Sequence, residues 1–202
     1  MPQDLILDAK LNKDSYSSNN TAGGVSNLGG WVRFSVTRYE LPAGSNFAAQ
    51  IYQGPDGMYK IAFRGTVNPL GTGDAAMNAG IAGGQWTAEM SESIKFTFAA
   101  IQQIAAAENI SFQAAKAKFS LTGHSQGGFE AELNAKFYGL GGTSLDGPGA
   151  SLLIGEKGWN AMKAWAHAQE PAVLQSHDIG DFVARRYTLL VGGVNPHVGG
   201  GG

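Results

Sequence analysis

The sequence predicts an α/β fold, one small domain with a mainly parallel central sheet flanked by helices, and three observations carry that expectation. Short strand-like runs alternate with amphipathic helical ones, the pattern that sets parallel strands between two helical layers. Glycine is used about twice as often as the roughly 7% of ordinary proteins, and the 30 glycines cluster between the periodic segments, as tight turns between short elements require. The third observation is Gly123-His124-Ser125-Gln126-Gly127, which stands between a strand-like and a helical run.

In order along the chain, Leu5 to Leu11 carries apolar residues near helical spacing, and Ser15 to Gly30 is a Ser/Asn/Gly-rich loop. Phe47 to Tyr52 and Met58 to Phe63 read as strands joined by Gly54-Pro55-Asp56-Gly57, whose Pro and Gly suit a tight reversal, so a β-hairpin is expected. From Trp86, the residues Met90, Ile94, Phe98, Ile101 and Ile104 recur every three or four positions and mark one face of a helix that Asn109 ends. Ser111 caps a second short helix through about Lys116, and Phe119 to Thr122 is the next strand. Phe129 to Phe137 reads as helix, and a further strand ends near Asp146. Ile154 to Ala168 is a helix closed off by Pro171, and Ala172 to Gln175 and Tyr187 to Val191 are two more strands.

Length and composition bound the rest. A chain of 202 residues with 43% hydrophobic and 15% charged residues can bury a core as one domain, here assigned to residues 1–198. The Gly-rich tail at 199–202 reads as the entrance to a linker in a longer protein. A net charge of -2 lacks the basic excess that phosphate backbones reward, so nucleic acid is not an expected partner. Zero cysteines exclude a disulfide framework, a thiolate nucleophile and any Cys-ligated metal site. No transmembrane segment is expected, because no run reaches the roughly 18 apolar residues of a span. The start of the chain has no basic, then apolar, signal pattern. Compartment stays open between reducing cytosol and cysteine-free secretion.

Chemistry points to Ser125. A nucleophile at a sharp strand-to-helix turn needs small neighbours, and Phe119 to Thr122 supplies the strand, Gly127-Gly128 the turn and Phe129 onward the helix. The residue after such a serine, Gln126, offers a backbone N–H to an oxyanion. A second donor belongs at the end of an earlier strand, where Ile61-Ala62-Phe63-Arg64-Gly65-Thr66 allows close backbone approach. Arg64 and the Arg185-Arg186 pair read as solvated or salt-bridged surface groups.

Taken together, Phe47 to Tyr52, Ile61 to Thr66, Leu121 to Gly128, Asp146-Gly147-Pro148-Gly149 and His177-Asp178-Ile179 follow one another in the order of a known family. Over residues 45 to 182 the chain resembles the class 3 lipases, and more closely their bacterial relatives in large calcium-binding repeat proteins. The resemblance implies an α/β-hydrolase fold, hydrolysis of carboxylic esters of lipids or acyl esters, a Ser-Asp-His triad, and no cofactor or metal. It points to Thr66 and Gln126 as oxyanion residues and to Asp178 as the triad acid, with Asp181 and Asp146 as competitors. Gln126 departs from the family's usual leucine but keeps the backbone donor. The resemblance also places a lid at Val67 to Gln85, a glycine-loaded segment carrying Leu70, Met77 and Ile81, with transient contact to a lipid interface; the alternative is a rigid surface loop. It is compatible with secretion as part of a larger bacterial protein.

Four histidines compete for the base. His124 lies within the elbow, where packing or hydrogen bonding is its expected part, and His167 falls at the end of a helix upstream of the acid. His177 adjoins Asp178, and neighbours on a strand point to opposite faces. His197 follows the last strand and completes the chain order Ser, Asp, His, so the triad is Ser125, Asp178 and His197; the alternative is a base beyond residue 202. The rival functions are a thioesterase or acyltransferase of the same fold, and a catalytically silent module.

Overall fold

The computed structural model describes residues 2–24, 28–67 and 72–151, together with positions 160, 164 and 168. Its elements are α1 (Pro2–Ser15), β1 (Gly23–Gly24), β2 (Val32–Phe34), β3 (Ala49–Gln53), β4 (Tyr59–Phe63), α2 (Thr72–Gly83), α3 (Ala88–Glu108), α4 (Phe112–Lys116), β5 (Phe119–His124), α5 (Gln126–Tyr138) and β6 (Gly142–Leu145). The strands form one six-stranded sheet in the order β1-β2-β3-β4-β5-β6.

Connection length decides how these strands pair. β3 and β4 are joined by five residues, too few for a crossover, and they pair antiparallel with Ala49 opposite Phe63 and Gln53 opposite Tyr59. Gly57 takes φ 75° in the turn, and the Gly54 amide donates to Met58 O at 2.8 Å. β1–β2 and β2–β3 are antiparallel as well. Parallel pairing begins where helices intervene, β4 with β5 across α2, α3 and α4, and β5 with β6 across α5. The expectation of a mainly parallel sheet is therefore corrected. Among the described residues the sheet is mixed and mostly antiparallel, because no helix separates β1, β2, β3 and β4. The expected strands Ala172–Gln175 and Tyr187–Val191 lie outside the described residues. Of the expected helix 154–168, the described positions Asn160, Ala164 and Ala168 are helical and exposed.

Local chemistry sets the helix ends. The Thr87 hydroxyl accepts from the Met90 amide at the start of α3, and Asn109 ends that helix in the left-handed region at φ 53°. Ser111 caps α4 by accepting from Ala114 N. α5 stops at Gly139, also left-handed. The segment expected as a glycine-loaded flap holds α2, a helix whose Met77 and Ile81 are buried.

The sheet divides two unlike layers. Alternation along β3, β4 and β5 sends Ala49, Ile51, Tyr59, Ile61, Phe63, Phe119 and Leu121 to one face, where they pack with α3 and α5 residues such as Ile94, Ile101, Phe129 and Leu133. Each large apolar side chain buried there contributes about 1.5–3 kcal/mol. The opposite face meets α1, whose Leu7 and Leu11 join the apolar cluster there among the described side chains. Polar pairs hold the rest of α1. Asp8 lies 2.9 Å from Lys60, Asn12 Nδ2 donates to Thr122 Oγ1 at 2.8 Å, and Asp14 accepts from Arg33 at 2.9 and 2.6 Å and from the Tyr52 hydroxyl at 2.6 Å.

Candidate active site

The site grows from the junction of β5 and α5. β5 is held between β4 and β6, so its C-terminal end at His124 is fixed from both sides. The next residue, Ser125, takes φ 56° and ψ -125°, and α5 begins at Gln126. A non-glycine residue there stores roughly 1–3 kcal/mol of backbone strain, which persists only because its surroundings impose it. Three backbone bonds do so: Ser125 N donates to Leu145 O at 2.8 Å, while Ser125 O accepts from Gly128 N at 2.9 Å and Phe129 N at 3.3 Å. The Ser125 side chain makes no capping bond to α5 and is half-buried, so the hydroxyl stays within reach of solvent.

The flanking glycines have steric reasons. A Cβ on Gly123 would overlap the Gly127 carbonyl oxygen and sit 2.7 Å from Gly128 N. One on Gly127 would lie 2.6 Å from the Phe63 carbonyl carbon, since α5 starts directly against the end of β4. Gly65 completes the approach, for a Cβ there would stand 2.5 Å from His124 O and 3.2 Å from Ser125 Cβ. The segment after β4 is thus laid against the elbow, and Thr66 and Gln126 become neighbours. Thr66 Oγ1 donates to Gln126 Oε1 at 2.7 Å. Gln126 is buried, and its Nε2 donates to Glu89 Oε1, also at 2.7 Å. Glu89 lies in the first turn of α3, where the helix dipole favours a carboxylate.

Beside Gly65, His124 Nδ1 and the Tyr16 hydroxyl are 3.0 Å apart with their rings edge-on. Burial pushes the Tyr16 phenol above its ordinary value, while a hydrogen bond with the Gly65 backbone pulls it down. A chain segment just beyond α1 is thereby tied to the end of β5 and to the segment after β4.

Next to Glu89 is a cavity of about 300 Å³. Loop 42–46, Ala76 and Met77 of α2, and the first turns of α3 with Glu89 and Glu92 line it. α2 is seated against this cap, since Thr87 Oγ1 donates to Met77 Sδ at 3.2 Å.

Of the residues singled out from the sequence, Ser125, Thr66 and Gln126 are brought together. Asp178 and His197 lie outside the described residues, as do Asp181, His167, His177, Leu70, Arg185 and Arg186. Asp146 is exposed at the end of β6 with φ 51°. Arg64 is half-buried and donates to Asn46 O at 3.4 Å. Among the described residues no cluster of three His, Asp or Glu side chains could hold a metal ion, and no helix is long and apolar enough to cross a membrane. Tyr16 and Glu89 were not singled out from the sequence. Tyr16 is 108 residues from its histidine and carries no local signal. Glu89 reads only as an acid in the first turn of a helix.

No protein-family model matches the chain, and no curated protein matches it.

Proposed function

We propose that this protein is a serine hydrolase that cleaves carboxylic esters of lipids or other acyl esters, built on the α/β-hydrolase plan, with Ser125 as its nucleophile. One observation carries the reading: a serine held at φ 56°, ψ -125° between a strand with parallel neighbours and the first turn of a helix. Strain at a non-glycine residue is maintained where a side chain must be presented, and this turn presents a hydroxyl at a helix N-terminus, where developing negative charge is stabilised.

In the proposed reaction, Ser125 Oγ attacks the ester carbonyl while His197 takes its proton, and Asp178 holds the imidazole tautomer. The carbonyl oxygen becomes an oxyanion bonded by the backbone N–H groups of Gln126 and Thr66, each worth roughly 10²–10³ in rate at such sites. The histidine returns its proton to the departing alcohol, and water then resolves the acyl-serine. His124 is not chosen as the base, since its Nδ1 faces Tyr16. The cavity bounded by Ala76, Met77 and Glu89 adjoins the hydrogen-bond partner of Gln126, and its lining does not include Ser125. Burial of Met77 and Ile81 against the body fits α2 as a closed cover over it.

A panel of acyl esters, thioesters and amides tests the reading. Hydrolysis is expected on esters and to fall roughly 10⁴- to 10⁶-fold in Ser125→Ala. Preference for thioesters or for transfer to another acceptor moves the protein to a thioesterase or acyltransferase. Activity of Ser125→Ala within about tenfold of wild type removes Ser125 from the mechanism.

A further inference from the structure

We infer that Glu89 is a positioning residue for ester cleavage, acting through the Gln126 side chain on the Thr66 hydroxyl and on the spacing of the two oxyanion segments. The inference rests on the proposed ester-cleaving function of Ser125. Its basis is a chain of two 2.7 Å hydrogen bonds joining the end of β4, the first residue of α5 and the first turn of α3.

The polarity of that chain is determined from one end. A carboxylate only accepts hydrogen bonds, so the side-chain nitrogen of Gln126 must face Glu89. Its carbonyl oxygen is then left to face Thr66, and an oxygen that only accepts requires the Thr66 hydroxyl proton to point at it. Glu89 thus dictates, across an intervening residue, where the Thr66 proton lies. With that proton committed to Gln126, the hydroxyl is no competing donor, and the backbone N–H groups of Thr66 and Gln126 are the donors at the oxyanion. The bonds also hold those two N–H groups at a fixed separation, which matters because such donors act only when aimed in advance. Gln126 is buried and Glu89 and Thr66 are half-buried, so both bonds are partly shielded from water. A leucine at position 126, the usual residue in the class 3 lipases, keeps the backbone N–H but cannot carry the chain.

The test compares Glu89→Leu, Gln126→Leu, their combination and Glu89→Gln on a soluble short-chain p-nitrophenyl ester, with thermal melts of each. Each leucine variant is expected to lower kcat about tenfold, the scale of one modest hydrogen bond, with KM within about twofold. The double variant is expected to be no worse than either single one, since both break the same chain. Glu89→Gln restores most of the rate lost in Glu89→Leu, because its side-chain carbonyl still accepts from Gln126. Should Glu89→Leu fail to fold, Gln126→Leu and Glu89→Gln carry the comparison. Losses that add in the double variant, or a melting temperature that falls while kcat stays at wild type, overturn the inference. Labelling by a fluorophosphonate separates this failure from that of the parent reading. Wild type labelled at Ser125, with the leucine variants labelled equally fast, refutes the positioning role and leaves the hydrolase reading standing; wild type that does not label refutes both.

Discussion

At the scale of single residues, the strain at Ser125 and the glycines around it make separate predictions. Glycine adopts φ 56° without the side-chain penalty, so Ser125→Gly is expected to stabilise the fold by about 1 kcal/mol, or roughly 2–4 °C in a melt, while removing the nucleophile. A melting temperature at or below wild type contradicts the strain argument. Gly123→Ala and Gly127→Ala act in the opposite direction. Their methyl groups meet backbone rather than movable side chains, and each is expected to cost more than about 3 kcal/mol in urea denaturation. The elbow was legible in the sequence because its requirement is local, a serine between small residues at a strand–helix junction. The partners Tyr16 and Glu89 were not legible, because each reaches the site through the fold from another element.

Among elements, α1 is the odd layer, attached more by polar pairs than by burial. Its stability should therefore follow pH. The Arg33 guanidinium holds the Asp14 carboxyl below its ordinary value of 3.8, against the opposing effect of burial, and the Tyr52 hydroxyl adds to the lowering. For a carboxyl depressed in the folded state, the stabilisation is fully present above the unfolded value and is lost as pH falls through the folded one. Stability is expected to drop as pH falls below about 3.8, and Asp14→Asn should flatten that part of a stability-against-pH curve; an unchanged curve counts against the pairing. The end of α3, the start of α4 and the β3–β4 hairpin were readable because Asn109, Ser111 and Gly54-Pro55-Asp56-Gly57 act on their immediate neighbours. α2 was not, for Gly73, Gly80 and Gly83 lower its helix propensity and the helix gains its stability by burying Met77 and Ile81. β1, two residues long, pairs with the three-residue β2, which pairs with β3, and both leave too short a pattern to detect.

Across the whole molecule, strand and helix alternation correctly indicated an α/β protein with helices on the sheet, but it misjudged strand direction. Alternation governs only the half where helices separate the strands, and the Ser/Asn/Gly-rich segment before β3 returns on itself without one. The parallel half is where the elbow lies, so the part of the fold that local chemistry could specify is the part that presents Ser125. A buried carboxyl on α5 offers a check of how tightly this half is packed. Burial raises Glu132 above its ordinary value of 4.5, against a hydrogen bond from Ala150 N. Ionising it therefore opposes folding, and Glu132→Gln should be more stable than wild type at pH 7, with the gain vanishing as pH falls below about 4.5. Whether Ser125 is an activated nucleophile is tested most directly by reaction of the folded protein with a fluorophosphonate, followed by mass spectrometry of its peptides. One adduct is expected, on Ser125, lost in Ser125→Ala and after heat unfolding. An unmodified Ser125 in folded protein, or equal labelling of the unfolded chain, would contradict that activation.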